Sequence, residues 1–85
     1  MDDYGTVSME IIDSDKFLDM PSSAQALYFH LAIRADNKGF VNNPKSIQRA
    51  VRASDSDFKI LVAKHYISLS SDGITIEQWE TNNDI

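Results

Sequence analysis

The run NPKSIQRAVRASDSDFKILVAKHY, residues 43–66, decides how this chain folds. It contains two helix starts in close succession. Asn43-Pro44 sets an N-capping residue before a proline in the first helical turn. Ser54 supplies a second cap, with Asp55 and Asp57 in the turn that follows, where the helix dipole favours carboxylates. The first helix is predicted to run to about Arg52, with Ile47, Ala50 and Val51 as its apolar face. Lys45, Arg49 and Arg52 fall at i, i+4 and i+7 on another face. Ala53-Ser54 breaks the helix, and Phe58, Leu61, Val62 and Tyr66 give the second helix its apolar stripe. Two helices joined by so short a break read as a helix-turn-helix.

Downstream, Ile67 and Leu69 alternate with serines, Ser71-Asp72-Gly73 turns the chain, and Ile74 and Ile76 alternate again. This pattern predicts a hairpin within residues 67–80, closed by a D-G turn. Upstream, Phe40-Val41 reads as a short strand, and Asp36-Asn37-Lys38-Gly39 as a turn in which Gly39 takes positive φ. Before that turn, Leu27 with Leu31 and Tyr28 with Ala32 recur at i, i+4, marking an amphipathic helix that ends near Ala35. Pro21 reads as its start, and Ser22 lies three residues before Gln25, the spacing of a capping box. Ser14 opens a short helical turn through Phe17 and Leu18, and Val7 to Ile12 reads as a strand or an ordered arm. The predicted class is mainly α with a small β-hairpin: one winged helix-turn-helix domain over residues 1–85, with an acidic arm at 1–13.

Composition narrows the function classes. The chain has no cysteine, which rules out disulfides and thiolate metal sites and fits an intracellular setting. No run approaches the ~20 apolar residues of a membrane span. The acidic, polar stretch Met1 to Thr6 is unlike a signal peptide, so a cytoplasmic location in a bacterial host is expected. The net charge of −5 is unevenly placed: residues 1–13 carry −4, residues 14–64 carry +3 and residues 65–85 carry −4.

Longer strings of residues carry a resemblance. Ile11-Ile12-Asp13-Ser14-Asp15-Lys16-Phe17-Leu18-Asp19-Met20-Pro21, Ser23-Ala24-Gln25-Ala26-Leu27-Tyr28-Phe29-His30-Leu31 and Arg34-Ala35-Asp36 are three of them. Gly39-Phe40-Val41-Asn42-Asn43-Pro44-Lys45 is the fourth. Together they resemble the N-terminal domain of phage replisome organisers from low-GC Gram-positive phages and prophages, over roughly residues 9–83. The resemblance implies a winged helix that binds DNA at a phage origin. In that family a following domain recruits the host replicative helicase, and no such domain is expected within these 85 residues. Two positions depart from the family pattern. Met9-Glu10 stands where basic residues are usual, and Trp79 is flanked by Glu77-Gln78 and Glu80 rather than by cations.

Two binding surfaces follow. For duplex DNA, the second helix would enter the major groove with Lys59 and Lys64, while Lys45, Arg49 and Arg52 meet phosphates. Asp55 and Asp57 oppose this reading, because they sit at the end that approaches the bases. For a basic host protein surface, Asp2, Asp3, Glu10, Asp72, Glu77, Glu80 and Asp84 would imitate phosphates, with Trp79 as a contact. Such a module would inhibit a host nucleic-acid-binding protein, for example a defence nuclease or a replication factor. Trp79 reads first as a residue that closes the core, and only second as a contact. A third reading is a homodimer paired through Tyr4, Val7, Met9 and Ile11 of the arm. Catalysis is not expected. His30 and His65 lack metal-ligand spacing, the glycines are isolated, and the serines cluster at caps and the wing. No metal, cofactor or small-molecule substrate is therefore expected.

Overall fold

The computed structural model describes residues 9–77. Met9–Ile12 (α1) and Asp15–Leu18 (α2) are single helical turns, and Ser22–Ile33 (α3) is the longest helix. Strand Phe40–Val41 (β1) leads to helices Pro44–Ala50 (α4) and Asp55–Ala63 (α5), then to strands Ile67–Ser70 (β2) and Gly73–Ile76 (β3). The described chain is thus a mainly helical domain with one small antiparallel sheet.

The sheet has three strands in the order β1-β3-β2, not the two of an isolated hairpin. Phe40 pairs with Thr75 and Val41 with Ile74, while Ile67 pairs with Ile76 and Leu69 with Ile74. Gly73 permits this closure. A Cβ at that position would strike the Val41 carbonyl oxygen and lie 2.9 Å from Asn42 Cα. The expected D-G turn is also corrected. Ser70 pairs with Gly73, so Ser71 and Asp72 are the two loop residues and Gly73 opens the strand. Neither loop residue has positive φ, so this is not the primed turn that an Asp-Gly pair would make.

The core lies between α3, α5 and the inner face of the sheet. Leu27, Leu31, Leu61, Ile67, Ile74 and Ile76 are among its fully buried side chains. Phe17 stands on α2 with its ring edge-on to Tyr28 and Tyr66, at centroid distances of 5.3 and 5.6 Å. Burial, with Tyr66 adding to it, pushes the Tyr28 hydroxyl up to about 12.

Local chemistry explains where most helices begin. Ser14 Oγ accepts from the Phe17 N–H and caps α2. Ser54 and Asp57 form a reciprocal capping box at the start of α5. The Ser22–Gln25 box does not form. Ser22 is already helical, Pro21 is the cap residue, and Gln25 Nε2 instead donates to the carbonyls of Met20 and Leu18 at 2.8 and 3.3 Å. Asn43 occupies the cap position of α4 without a side-chain hydrogen bond.

Other expectations change in detail. Met9–Ile12 is a helical turn, not a strand; Ile11 and Ile12 pack against the core while Met9 is 63% exposed. Ala50 is exposed rather than part of the apolar face of α4. The helix itself stops at Ala50, and Arg52 lies beyond it with φ of 65°. The hairpin expected over residues 67–80 is described only to Glu77; Tyr4, Val7 and Trp79 lie outside the described residues.

Helices α4 and α5 end in the same way. The Ala53 N–H reaches back to Gln48 O and the Arg52 N–H to Arg49 O, at 3.0 and 3.1 Å. The Tyr66 N–H reaches Leu61 O and the His65 N–H reaches Val62 O, at 2.9 and 3.1 Å. Both are Schellman closures, with Arg52 and His65 in the left-handed position usually held by glycine.

Candidate nucleic-acid interface

Helices α4 and α5, with strand β2, bring two of the candidate cations, Lys45 and Lys59, to one groove. Val51 to Ser54 makes the turn between the two helices, and Gln48 locks it. Buried on α4, Gln48 donates from Nε2 to Asp55 Oδ1 at 2.9 Å and to Ala53 O at 3.3 Å. Lys45 leans on the same junction. Its Nζ lies 4.2 Å from the centroid of the Phe58 ring, 3.4 Å from Gln48 Oε1 and 3.8 Å from Asp55 Oδ1.

The two carboxylates that opposed DNA binding in the sequence are both engaged. The Asp55 carboxyl is held below the usual carboxylate value, by the hydrogen bond from Gln48 first and by Lys45 second. Asp57 is buried, and its Oδ2 accepts from the Ser54 N–H while its Oδ1 accepts from Ser23 Oγ. Burial raises its carboxyl, but the hydrogen bonds from Ser54 and Ser23 outweigh that and hold it below the ordinary value. Asp57 therefore faces its own scaffold rather than an incoming ligand.

The five basic residues are all exposed. Lys45 and Lys59 meet at one groove, of about 490 Å³, whose floor and far wall are Phe58, Val62, Ala63 and Leu69. Asp55 completes its rim. Arg49 lies one turn after Lys45 on α4, Arg52 in the inter-helix turn, and Lys64 at the C-cap of α5, none of them lining the groove. Among the described residues, Arg49, Arg52, Lys59 and Lys64 make no ion pair. Sequence reading missed Gln48 and Leu69 as parts of this region. Alternation marked Leu69 only as a hairpin residue, and nothing marked Gln48 as the residue that ties α4 to α5.

The acidic set does not gather in the same manner. Glu10 lines a shallow recess with Lys16 and Tyr66, and the Glu77 N–H donates to Tyr66 O at 2.9 Å. Asp72 sits at the other end of the hairpin, across the whole of Gly73–Ile76. Asp2, Asp3, Trp79, Glu80 and Asp84 lie outside the described residues. Of the histidines, His30 accepts at Nδ1 from Arg34 at 2.9 Å, and His65 is an exposed helix terminus. Among the described residues, no group of three or more His, Cys, Asp or Glu side chains is placed to hold a metal. No described helix is long and apolar enough to cross a membrane.

Comparison with protein-family models, with curated proteins and with solved structures gave no match.

Proposed function

We propose that this chain is a non-catalytic winged helix-turn-helix module that binds duplex DNA, of the phage replisome-organiser kind. The reading rests on one arrangement. A helix, a strand, two helices joined by a tight turn and a hairpin follow in order, and the first strand pairs with the last. In such an arrangement α5 is the helix offered to a major groove, and β2–β3 is the wing beside it. Four exposed cations on or beside α4 and α5, Arg49, Arg52, Lys59 and Lys64, make no ion pair among the described residues and would supply phosphate contacts and counterion release.

Fluorescence anisotropy with labelled random duplex, at low and near-physiological salt, tests it. Binding should weaken with salt along a log–log slope of several units. Reversing Arg49 and Arg52 to glutamate should abolish binding. Absence of binding at low salt would sink the proposal.

One observation supports a second reading. Glu10 lines the recess beside Tyr66, which Lys16 shares, in a chain whose two ends are each acidic. That surface would suit a basic host protein and make the module an inhibitor. Glu77→Lys with Glu80→Lys would then destroy activity, while the Arg49/Arg52 reversal would spare it.

A further inference from the structure

The groove between α5 and β2 contains more apolar surface than phosphate contacts require. Helix α5 has no Arg, Asn or Gln at any position, so Lys59 is its one side chain suited to guanine and it carries none of the amides that make two-point hydrogen bonds to adenine. Its solvent face instead presents Ser56, Lys59 and Ala63, with Val62 partly exposed. The exposed carboxylate on that face, Asp55, accepts from Gln48 at Oδ1 and stands 3.8 Å from Lys45 Nζ, so its charge is partly neutralised. Leu69 is 64% exposed although its cross-strand partner Ile74 is fully buried. Paired residues project from the same face of a sheet, so Leu69 continues the apolar inner face outward beside Val62 and Ala63.

We propose that this groove reads thymine C5-methyl groups, with Val62, Ala63 and Leu69 forming the methyl contact and the Lys45/Lys59 rim drawing in the anionic duplex. The inference rests on duplex binding through α5. The lysine rim selects DNA over an apolar protein segment, because a polyanion with methyl groups on its major-groove edge matches both features of the groove.

The test compares a short alternating A–T duplex with the same duplex carrying deoxyuridine for thymidine, which removes only the methyl groups. Affinity should fall about fourfold for each methyl the groove buries. A Leu69→Ser, Ala63→Ser variant, altered only at exposed positions, should bind both duplexes alike, with an unchanged melting temperature as its control. Val62→Thr, close to isosteric, repeats the test from the helix side. Equal affinity of the unmodified protein for the two duplexes would overturn methyl reading and leave DNA binding standing. A thymine preference that persists in the variants would place methyl reading elsewhere and overturn the groove. No binding to any duplex at low salt would withdraw DNA binding itself, and the inference with it.

Discussion

Ser23 donates a 2.8 Å hydrogen bond to Asp57 across 34 residues of chain. It joins the first turn of α3 to the first turn of α5, the two helices that sandwich much of the core. The same carboxylate accepts from the Ser54 N–H, so one buried group satisfies a helix terminus and a tertiary contact together. Asp57→Ala should therefore cost about 1–3 kcal/mol, and Ser23→Ala about 0.5–1.5 kcal/mol. In thermal melts, each kcal/mol should appear as a loss of about 4–8 °C.

The Asp57 carboxyl is held below its ordinary value in the folded state, which sets a sign for acid sensitivity. Its contribution is complete above the unfolded carboxylate value of about 3.9 and is lost as pH falls through the lower folded value. Asp57→Asn should flatten the acid limb of a stability–pH curve measured by denaturant melts. An unchanged acid limb would show that Asp57 is not responsible for it.

Arg52 holds a left-handed backbone position that costs a side-chain-bearing residue about 1 kcal/mol. Arg52→Gly should raise stability by up to about 1 kcal/mol, seen as a higher melting temperature. The same variant should lower the salt slope of duplex binding by about one unit. Stability and binding would then move in opposite directions at a single residue.

Gly73 serves a different purpose, since its φ is not positive. Backbone atoms of Val41 and Asn42 occupy the space a Cβ would need. Gly73→Ala should cost about 1–3 kcal/mol, because backbone cannot yield as a flexible side chain does. Amide exchange should quicken first at Val41 and Ile74, the residues of the pairing that is forced apart.

Asp55 neutralises part of the charge that Lys45 brings to the groove. The pair is exposed and contributes little to stability. Asp55→Asn should therefore leave the melting temperature nearly unchanged while strengthening duplex binding. Lys59→Ala should weaken binding, and more than Lys45→Ala, since Lys45 acts on Asp55 more strongly than Lys59 does and Lys59 makes no ion pair among the described residues.

Much of the fold was legible because it rests on local signals. Ser14 and Ser54 cap the helices they precede, Pro44 sits in the first turn of α4, and Gly39 takes positive φ. The apolar residues Leu27, Leu31, Phe58 and Leu61, spaced for one helical face, are all buried. The misreadings fall where one local rule competed with another partner. Gln25 had the spacing of a capping box, but its amide found the carbonyls of Leu18 and Met20 nearer. Leu69 alternates with serines as Ile67 does, but it stands exposed on an edge strand near the loop, lining the groove beside α5.

The candidate surface divides in the same way. Charge counts alone identified a basic centre between acidic ends, and helix periodicity placed Lys45, Arg49 and Lys59 on solvent faces. These are properties of single residues and of short repeats, which a sequence carries without reference to the rest of the chain. Which carboxylates oppose the cations was decided only by the tertiary structure. Asp55 turned to Gln48 and Lys45, Asp57 turned inward to Ser23, and Glu10 came to the recess it shares with Lys16 and Tyr66. The pairing of β1 with β3, and the groove that Leu69 shares with α5, likewise depend on packing between distant segments. Such contacts have no period along the chain, because they are set by distance in space.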